Sequence, residues 1–156
     1  LLTIVGIIGL VILVVAAVFI YDLATDTGSY EDFTHIESYD LILNQLDSEN
    51  VLLEDYLVYF YSDNCPNCLE IKKEALKLAE KIDGKIVPVF FVNASTLKET
   101  VTGDKDDFLD IINLSSIRTP MVISVASGDF KEVYTGTTNV IDVLKSVEAK
   151  TYIPFN

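Results

Sequence analysis

The sequence predicts an α/β protein with a mixed β-sheet and helices on both faces, preceded by one N-terminal transmembrane helix. Two observations predict this class. Residues 1–21 contain no charged side chain, and beyond residue 36 apolar strand-like runs alternate with amphipathic helical runs. A strand–helix–strand unit requires a parallel pair with a crossover, and a hairpin near the end adds antiparallel strands. The chain is therefore divided into an anchor at residues 1–21, an acidic linker at 22–35 and a folded domain at 36–153.

The first element is the apolar run LLTIVGIIGLVILVVAAVFIY at residues 1–21. As a helix it would extend about 30 Å, the thickness of the hydrocarbon core of a bilayer. A signal peptide is the alternative, because VAA at residues 15–17 or Ala24 could precede a cleavage site, although its apolar region covers only about 7–15 residues. No Lys or Arg follows the run before Lys72, and cytoplasmic flanks are rich in these residues. We therefore expect a single-pass anchor with the domain on the extracytoplasmic side.

The charge lies entirely beyond residue 21 and sums to a formal net value of −13. A surface this acidic repels the phosphates of nucleic acid, and we exclude nucleic-acid binding on that ground. A solvated surface that keeps the domain soluble is the simplest interpretation of the acidity. Recognition of a basic partner is the alternative.

The first half of the domain contains two segments with a helical spacing of apolar residues and, between them, one continuous apolar run typical of a strand. Ile36, Tyr39, Leu43 and Leu46 recur at helical spacing and predict a helix over residues 36–46. YLVYFYS at 56–62 is a continuous apolar run, typical of a strand buried on both faces. The segment after the cysteines has one apolar stripe and predicts a long helix that ends at Gly84.

The second half continues with KIVPVFFVNA at 85–94, which predicts a second buried strand. Residues 104–114 predict a helix, because three acidic side chains occupy its first turn. MVISVA and DFKEVYTG predict a hairpin joined by a tight Ser-Gly turn. TNVIDVLKSVEAK predicts a last amphipathic helix that begins behind Thr137 or Thr138.

The two cysteines of the chain are three positions apart, where the first strand gives way to the long helix. Pro66 suits the first position of a helix, so Cys65 would be the N-cap and Cys68 would lie in the first turn. Free backbone N–H groups and the helix dipole stabilise a thiolate at the N-cap. The pattern therefore predicts a redox pair in which Cys65 attacks and Cys68 resolves.

Other uses of the pair are a structural zinc site and a static disulfide. Zinc needs four ligands, and beyond the two thiols the chain offers only His35, which we expect to be an ordinary surface residue, so no metal site is predicted. A static disulfide would close a very short loop and stabilise the fold little.

Three segments carry a resemblance to a known family. YLVYFYSDNCPNCLEIKKEALKLAEKI, IVPVFFVNA and SIRTPMVISVASGDFKEVYTGTT resemble the thioredoxin superfamily over residues 36–149. The resemblance implies a thioredoxin-like mixed sheet with helices on both faces in residues 36–153. It also implies that Pro120 is the family's cis-proline facing the two sulfurs, and that the backbone of Thr119 binds the substrate chain as a strand would.

The motif departs from the pattern that thioredoxins typically carry, Trp-Cys-Gly-Pro-Cys. Here Pro66 and Asn67 separate the cysteines and shape the motif, and the chain has no Trp. The family's buried Asp, which helps move the proton of the second thiol, is replaced by Tyr59. We expect Tyr59 to be a core residue, because a neutral phenol is a poor base near pH 7.

Charges beside the motif leave the direction of electron flow open. Asp63 and Glu70 flank the cysteines and disfavour a thiolate, whereas Lys72 and Lys73 lie farther along the helix and offset them. The pair could therefore oxidise, reduce or isomerise its substrate.

The resemblance implies a thiol–disulfide oxidoreductase that acts on protein disulfides through Cys65 and Cys68, and the flank of the anchor places it on the extracytoplasmic side. It needs no cofactor beyond the redox-active disulfide. Its partners would be protein thiols or disulfides, a thiol redox partner that resets the pair, and the membrane through residues 1–21. A bacterial surface is the expected setting. The alternative is a non-catalytic accessory or binding module at the membrane, with a structural disulfide.

Overall fold

The structure is a computed structural model, and it describes residues 12–17 and 28–155. The strands of these residues are β1 (Tyr56–Tyr61), β2 (Val89–Asn93), β3 (Met121–Ala126) and β4 (Asp129–Thr135). They form one four-stranded sheet in the order β2-β1-β3-β4. β1 pairs in parallel with β2 and antiparallel with β3, and β3 and β4 form the hairpin. The predicted mixed sheet is confirmed.

Within residues 28–155, three α-helices cover the sheet: α1 (Pro66–Ile82), α2 (Asp104–Ile111) and α3 (Thr137–Glu148). Buried side chains of α1 and α3 share one apolar cluster, and those of α2 belong to a second cluster on the opposite face. Helices on both faces are therefore confirmed. α1 ends as predicted, because Gly84 follows the helix with a φ of +64° in the left-handed region.

The boundaries of three elements differ from the prediction. β2 begins only at Val89, because Pro88 cannot donate to the ladder, and α2 ends at Ile111, three residues before the predicted end. The first residue of α3 is Thr137, so neither threonine precedes the helix. Gly136 is its N-cap, with a φ of +85° that glycine adopts readily.

β1 is the buried centre of the sheet, and none of its six side chains is exposed. Leu57, Tyr59 and Tyr61 pack in the cluster of α1 and α3. Tyr56 and Phe60 pack in the cluster of α2. A strand covered on both faces is apolar at every position rather than at alternate ones, which is the pattern that its sequence shows.

The predicted helix over residues 36–46 is wrong. Only a short 3₁₀ turn forms there, at Tyr39–Leu41. The backbone of this segment instead pairs with the edge of β2: Ile36 N–H donates to Phe91 O and Phe91 N–H donates to Thr34 O, both at 2.8 Å. Tyr39 and Ile36 are buried, as their spacing required. Leu43 is half-buried and Leu46 is exposed, so the predicted apolar stripe is buried only in its first half. Tertiary strand pairing used the hydrogen bonds that a helix would need.

Residues 28–35, which the sequence assigned to the linker, pack on the domain. Tyr30 is 8% exposed, and its ring stacks on Tyr61 with centroids 3.9 Å apart. The ring of Phe33 stacks on Phe91 with centroids 4.4 Å apart. The packed part of the chain therefore extends to residue 28.

The expectation that His35 is an ordinary surface residue is wrong. Its ring is half-buried against the edge of the sheet. Nδ1 lies 3.0 Å from Phe33 O, and Nε2 lies 2.9 Å from the hydroxyl of Tyr61. Because a carbonyl oxygen can only accept, Nδ1 carries a hydrogen and donates it to Phe33 O. His35 thus joins the N-terminal segment to β1.

The predicted anchor at residues 1–21 lies largely outside the described residues. Residues 12–17 are described and are helical. Within the described ranges, no helix has both the length and the apolar character that crossing a bilayer requires. The transmembrane helix stays a prediction.

Candidate active site

The cysteine pair occupies the start of α1, as the sequence predicted. Cys65 is the N-cap, Pro66 is the first helical residue, and the backbone N–H of Cys68 donates to Cys65 Sγ at 3.0 Å. The sulfurs form a disulfide across a Cα–Cα distance of 5.2 Å. Cys65 is 8% exposed and Cys68 is 1% exposed, so an incoming thiol reaches Cys65 first. Pro66 and Asn67 are exposed between them.

A second segment meets the pair from the start of β3. The Thr119–Pro120 peptide bond is cis, which confirms that expectation. Thr119 O lies 3.4 Å from Cys65 Sγ, although the two residues are 54 positions apart. Pro120 is buried, and its carbonyl accepts a hydrogen bond from Gly136 N–H at 3.0 Å. The structure therefore brings all the predicted site residues together around one disulfide.

Tyr30 adds a contact that the sequence did not reveal. Its hydroxyl donates to Cys68 O at 3.4 Å, and Lys72 Nζ lies 4.9 Å from the centre of its ring. A cation over an aromatic face is attracted by the ring quadrupole. The ring of Tyr30 therefore holds the ammonium group of Lys72 on the face of α1 that packs against Tyr30. An aromatic residue in an otherwise polar segment was the available signal, but its partner is 38 positions away.

Solved structures share this architecture. Mitochondrial thioredoxin 3 from Saccharomyces cerevisiae, in its oxidised form, matches with a TM-score of 0.53 and 14% identity, over 78% of this chain and 99% of that chain. Thioredoxin Mala s 13 from Malassezia sympodialis matches with a TM-score of 0.52 and 14% identity, over 76% and 92% of the two chains. The chain has the thioredoxin fold.

No protein-family model and no curated protein matches the sequence. At these identities the structural likeness establishes the thioredoxin fold and nothing finer. The resemblance noted in the sequence is thereby confirmed at the level of the fold.

Tyr59 is the main departure inside this thioredoxin fold, and its prediction as a core residue is confirmed. The side chain is fully buried, and its hydroxyl is the buried side-chain polar atom for which the described residues provide no hydrogen-bond partner. Burial, with a smaller contribution from Tyr30, raises the pKa of Tyr59 well above its ordinary value. The phenol therefore stays protonated and cannot act as a base near pH 7.

The aromatic groups around the pair are uncharged. Burial raises the pKa of Tyr61 to about 12, and the charges of Glu31 and Asp63 add to the effect. Tyr61 therefore keeps its proton, and its hydroxyl lies 2.9 Å from His35 Nε2. The carboxylate of Asp63, next to the motif, accepts a hydrogen bond from Asn93 Nδ2 at 3.0 Å.

Residues 12–17 and 28–155 contain no cluster of side chains that could hold a metal ion. No three His, Cys, Asp or Glu side chains lie together there as metal ligands would.

Proposed function

We propose that the protein is a thiol–disulfide oxidoreductase that acts on protein thiols and disulfides through Cys65 and Cys68. The observation that carries this proposal is the position of Cys65: its sulfur caps α1 and lies 3.4 Å from Thr119 O. A static disulfide has no need of a sulfur at a helix N-terminus beside a segment from another part of the chain.

The exchange proceeds through the more exposed sulfur. A substrate thiolate attacks Cys65 Sγ, the Cys65–Cys68 bond breaks, and Cys68 leaves as a thiolate that takes a proton. The second substrate thiol then attacks the substrate sulfur of the mixed disulfide, which frees Cys65. The substrate has lost two electrons and two protons, and the pair has gained them. The reverse sequence reduces a substrate disulfide.

The N-terminus of α1 supplies the electrostatics. The Cys68 N–H donates to Cys65 Sγ at 3.0 Å, and the positive end of the helix dipole favours negative charge at that sulfur. Both effects make Cys65 the better leaving group when the mixed disulfide is resolved.

Thr119 and Pro120 line the approach to Cys65. Thr119 is half-buried, and its carbonyl oxygen lies beside the reactive sulfur. We assign the backbone of Thr119 to strand-like pairing with the substrate chain, with Pro120 holding that backbone against the pair. The redox pair carries the electrons without a further cofactor, and a thiol partner resets it.

A Cys68→Ser variant of the full chain tests the proposal. Cys65 can still attack, but nothing resolves the mixed disulfide. We therefore expect disulfide-linked adducts with substrate proteins, and a reducing agent should cleave these adducts. The measurement is non-reducing electrophoresis of thiol-blocked cell extract. The matched control is Cys65→Ser/Cys68→Ser, which should form none. A Cys68→Ser chain without adducts would favour the accessory module with a structural disulfide.

We further propose that residues 1–21 hold the domain at the extracytoplasmic side of a bacterial membrane. The uncharged composition of this run supports the proposal, as do the exposed side chains of Ile12, Leu13, Val14 and Val15.

Fractionation of bacterial cells tests this location. We expect the full chain to remain in the membrane fraction after an alkaline wash, and a variant that lacks residues 1–21 to be released. Protease added to protoplasts, whose cell wall has been removed, should degrade the domain. A full chain released by the wash, or a domain protected from the protease, would contradict the proposed location.

A further inference from the structure

Among the described residues, the hydroxyl of Tyr59 lacks a well-formed hydrogen bond in the oxidised protein. It is buried and makes no hydrogen bond of normal length and angle with a described residue. The hydroxyl of Tyr30, which interacts with it, already donates its hydrogen to Cys68 O. An unpaired buried hydroxyl destabilises the state in which it occurs, because it has lost its bonds to water and gained none. The cysteine pair is a disulfide in this same state. The oxidised protein is therefore the state that bears this cost.

The environment of Tyr59 connects it to the resolving cysteine. Tyr59 and Cys68 belong to the same buried cluster, between β1 and α1. Tyr30 lies against both: its ring centre is 6.1 Å from that of Tyr59, and its hydroxyl donates to Cys68 O. On the other side the ring of Phe91 lies 5.1 Å from that of Tyr59.

Reduction changes what the sulfur of Cys68 can accept. In the disulfide this sulfur is bonded to Cys65 Sγ. In the dithiol form that bond is gone, and a thiol sulfur that can ionise to a thiolate takes its place in the same cluster. A thiolate is the stronger acceptor of the two.

We propose that Tyr59 is a positioning residue for the redox step: its hydroxyl donates a hydrogen bond to the sulfur of Cys68 once the pair is reduced. The bond stabilises the dithiol relative to the disulfide, which makes the pair more oxidising. This inference rests on the proposed function and assigns that site a direction, toward oxidation of substrate dithiols.

The step balances without a proton from Tyr59. A substrate dithiol gives two electrons and two protons, its own disulfide forms, and the Cys65–Cys68 bond breaks. Tyr59 keeps its hydrogen throughout and only orients it, which agrees with the raised pKa of its buried phenol.

A Tyr59→Phe variant of the full chain in detergent micelles tests the inference. The equilibrium of the pair with glutathione is measured by alkylation gel shift across a redox buffer. Loss of the hydroxyl should shift the equilibrium constant toward the disulfide by about tenfold, which is about 30 mV for a two-electron couple. The matched control is Tyr56→Phe on the same strand, whose hydroxyl donates to Ile42 O at 3.2 Å in the other cluster. This control should leave the equilibrium within about twofold.

Stability measured in both redox states separates this role from a merely structural one. Tyr59→Phe should destabilise the reduced form alone, because the oxidised form loses only an unpaired hydroxyl. Tyr56→Phe should destabilise both forms equally. A shift for Tyr59→Phe no larger than that of Tyr56→Phe, or equal losses in both forms, would overturn the inference. The equilibrium with glutathione needs no protein substrate, so it can be measured even if Cys68→Ser traps none.

Discussion

Replacement of Cys65 by alanine is expected to lower the rate of disulfide exchange with a protein substrate by a factor on the order of 10³ or more. Cys65 is the sulfur that forms the mixed disulfide, and Cys68, at 1% exposure, is too buried to replace it. The measurement is the reduction of insulin by dithiothreitol in the presence of the full chain, followed by turbidity.

The control for this experiment is Lys77→Ala, at an exposed position on α1 away from the motif. We expect Lys77→Ala to keep the rate of the original chain, which shows that substitution on α1 alone is tolerated. Retention of more than a tenth of the rate by Cys65→Ala would be incompatible with Cys65 as the attacking sulfur.

Replacement of Phe91 by alanine is expected to lower the free energy of unfolding by about 3–5 kcal/mol. Phe91 is fully buried on β2. Its ring lies between the ring of Phe33, at 4.4 Å, and that of Tyr59, at 5.1 Å. Alanine leaves a cavity there and removes the surface on which the N-terminal segment packs. Urea denaturation followed by circular dichroism measures the loss.

Phe130→Ala is the matched control for the core substitution. Phe130 lies half-buried on β4 and packs at the margin of the α2 cluster. Because the ring of Phe130 buries less apolar surface than that of Phe91, we expect Phe130→Ala to lower the free energy of unfolding by a clearly smaller amount. Equal losses for the two variants would contradict the central position of Phe91.

The elements that the sequence predicted correctly are those whose pattern is local. β1 is apolar at every position, α1 has one apolar stripe and a glycine after its end, and the hairpin has a Ser-Gly turn. The segment at residues 36–46 misled because its apolar spacing of three is also compatible with a chain that pairs with β2 and turns once. The hydrogen bonds that decided the outcome come from Phe91, far along the chain.

The candidate site divides in the same way. Cys65, Pro66 and Cys68 are adjacent in sequence, so helix capping was enough to place them. Thr119 and Pro120 followed only from the family resemblance, because no local pattern brings them to the cysteines. Tyr30 and His35 were missed, since each contacts its partner across at least 26 positions. Periodicity carries no information about such contacts.

The two outer edges of the sheet differ in how they meet the solvent. Residues 34–36 lie along β2 and occupy hydrogen-bonding groups at that edge. β4 is the outer strand at the other edge, where Asp129, Lys131 and Glu132 are exposed and the pairing with β3 is irregular near Ser124. Charges and irregular pairing on an outer strand disfavour the addition of a strand from another molecule. Neither outer edge therefore offers a long, regular row of free backbone groups to the sheet of a second copy.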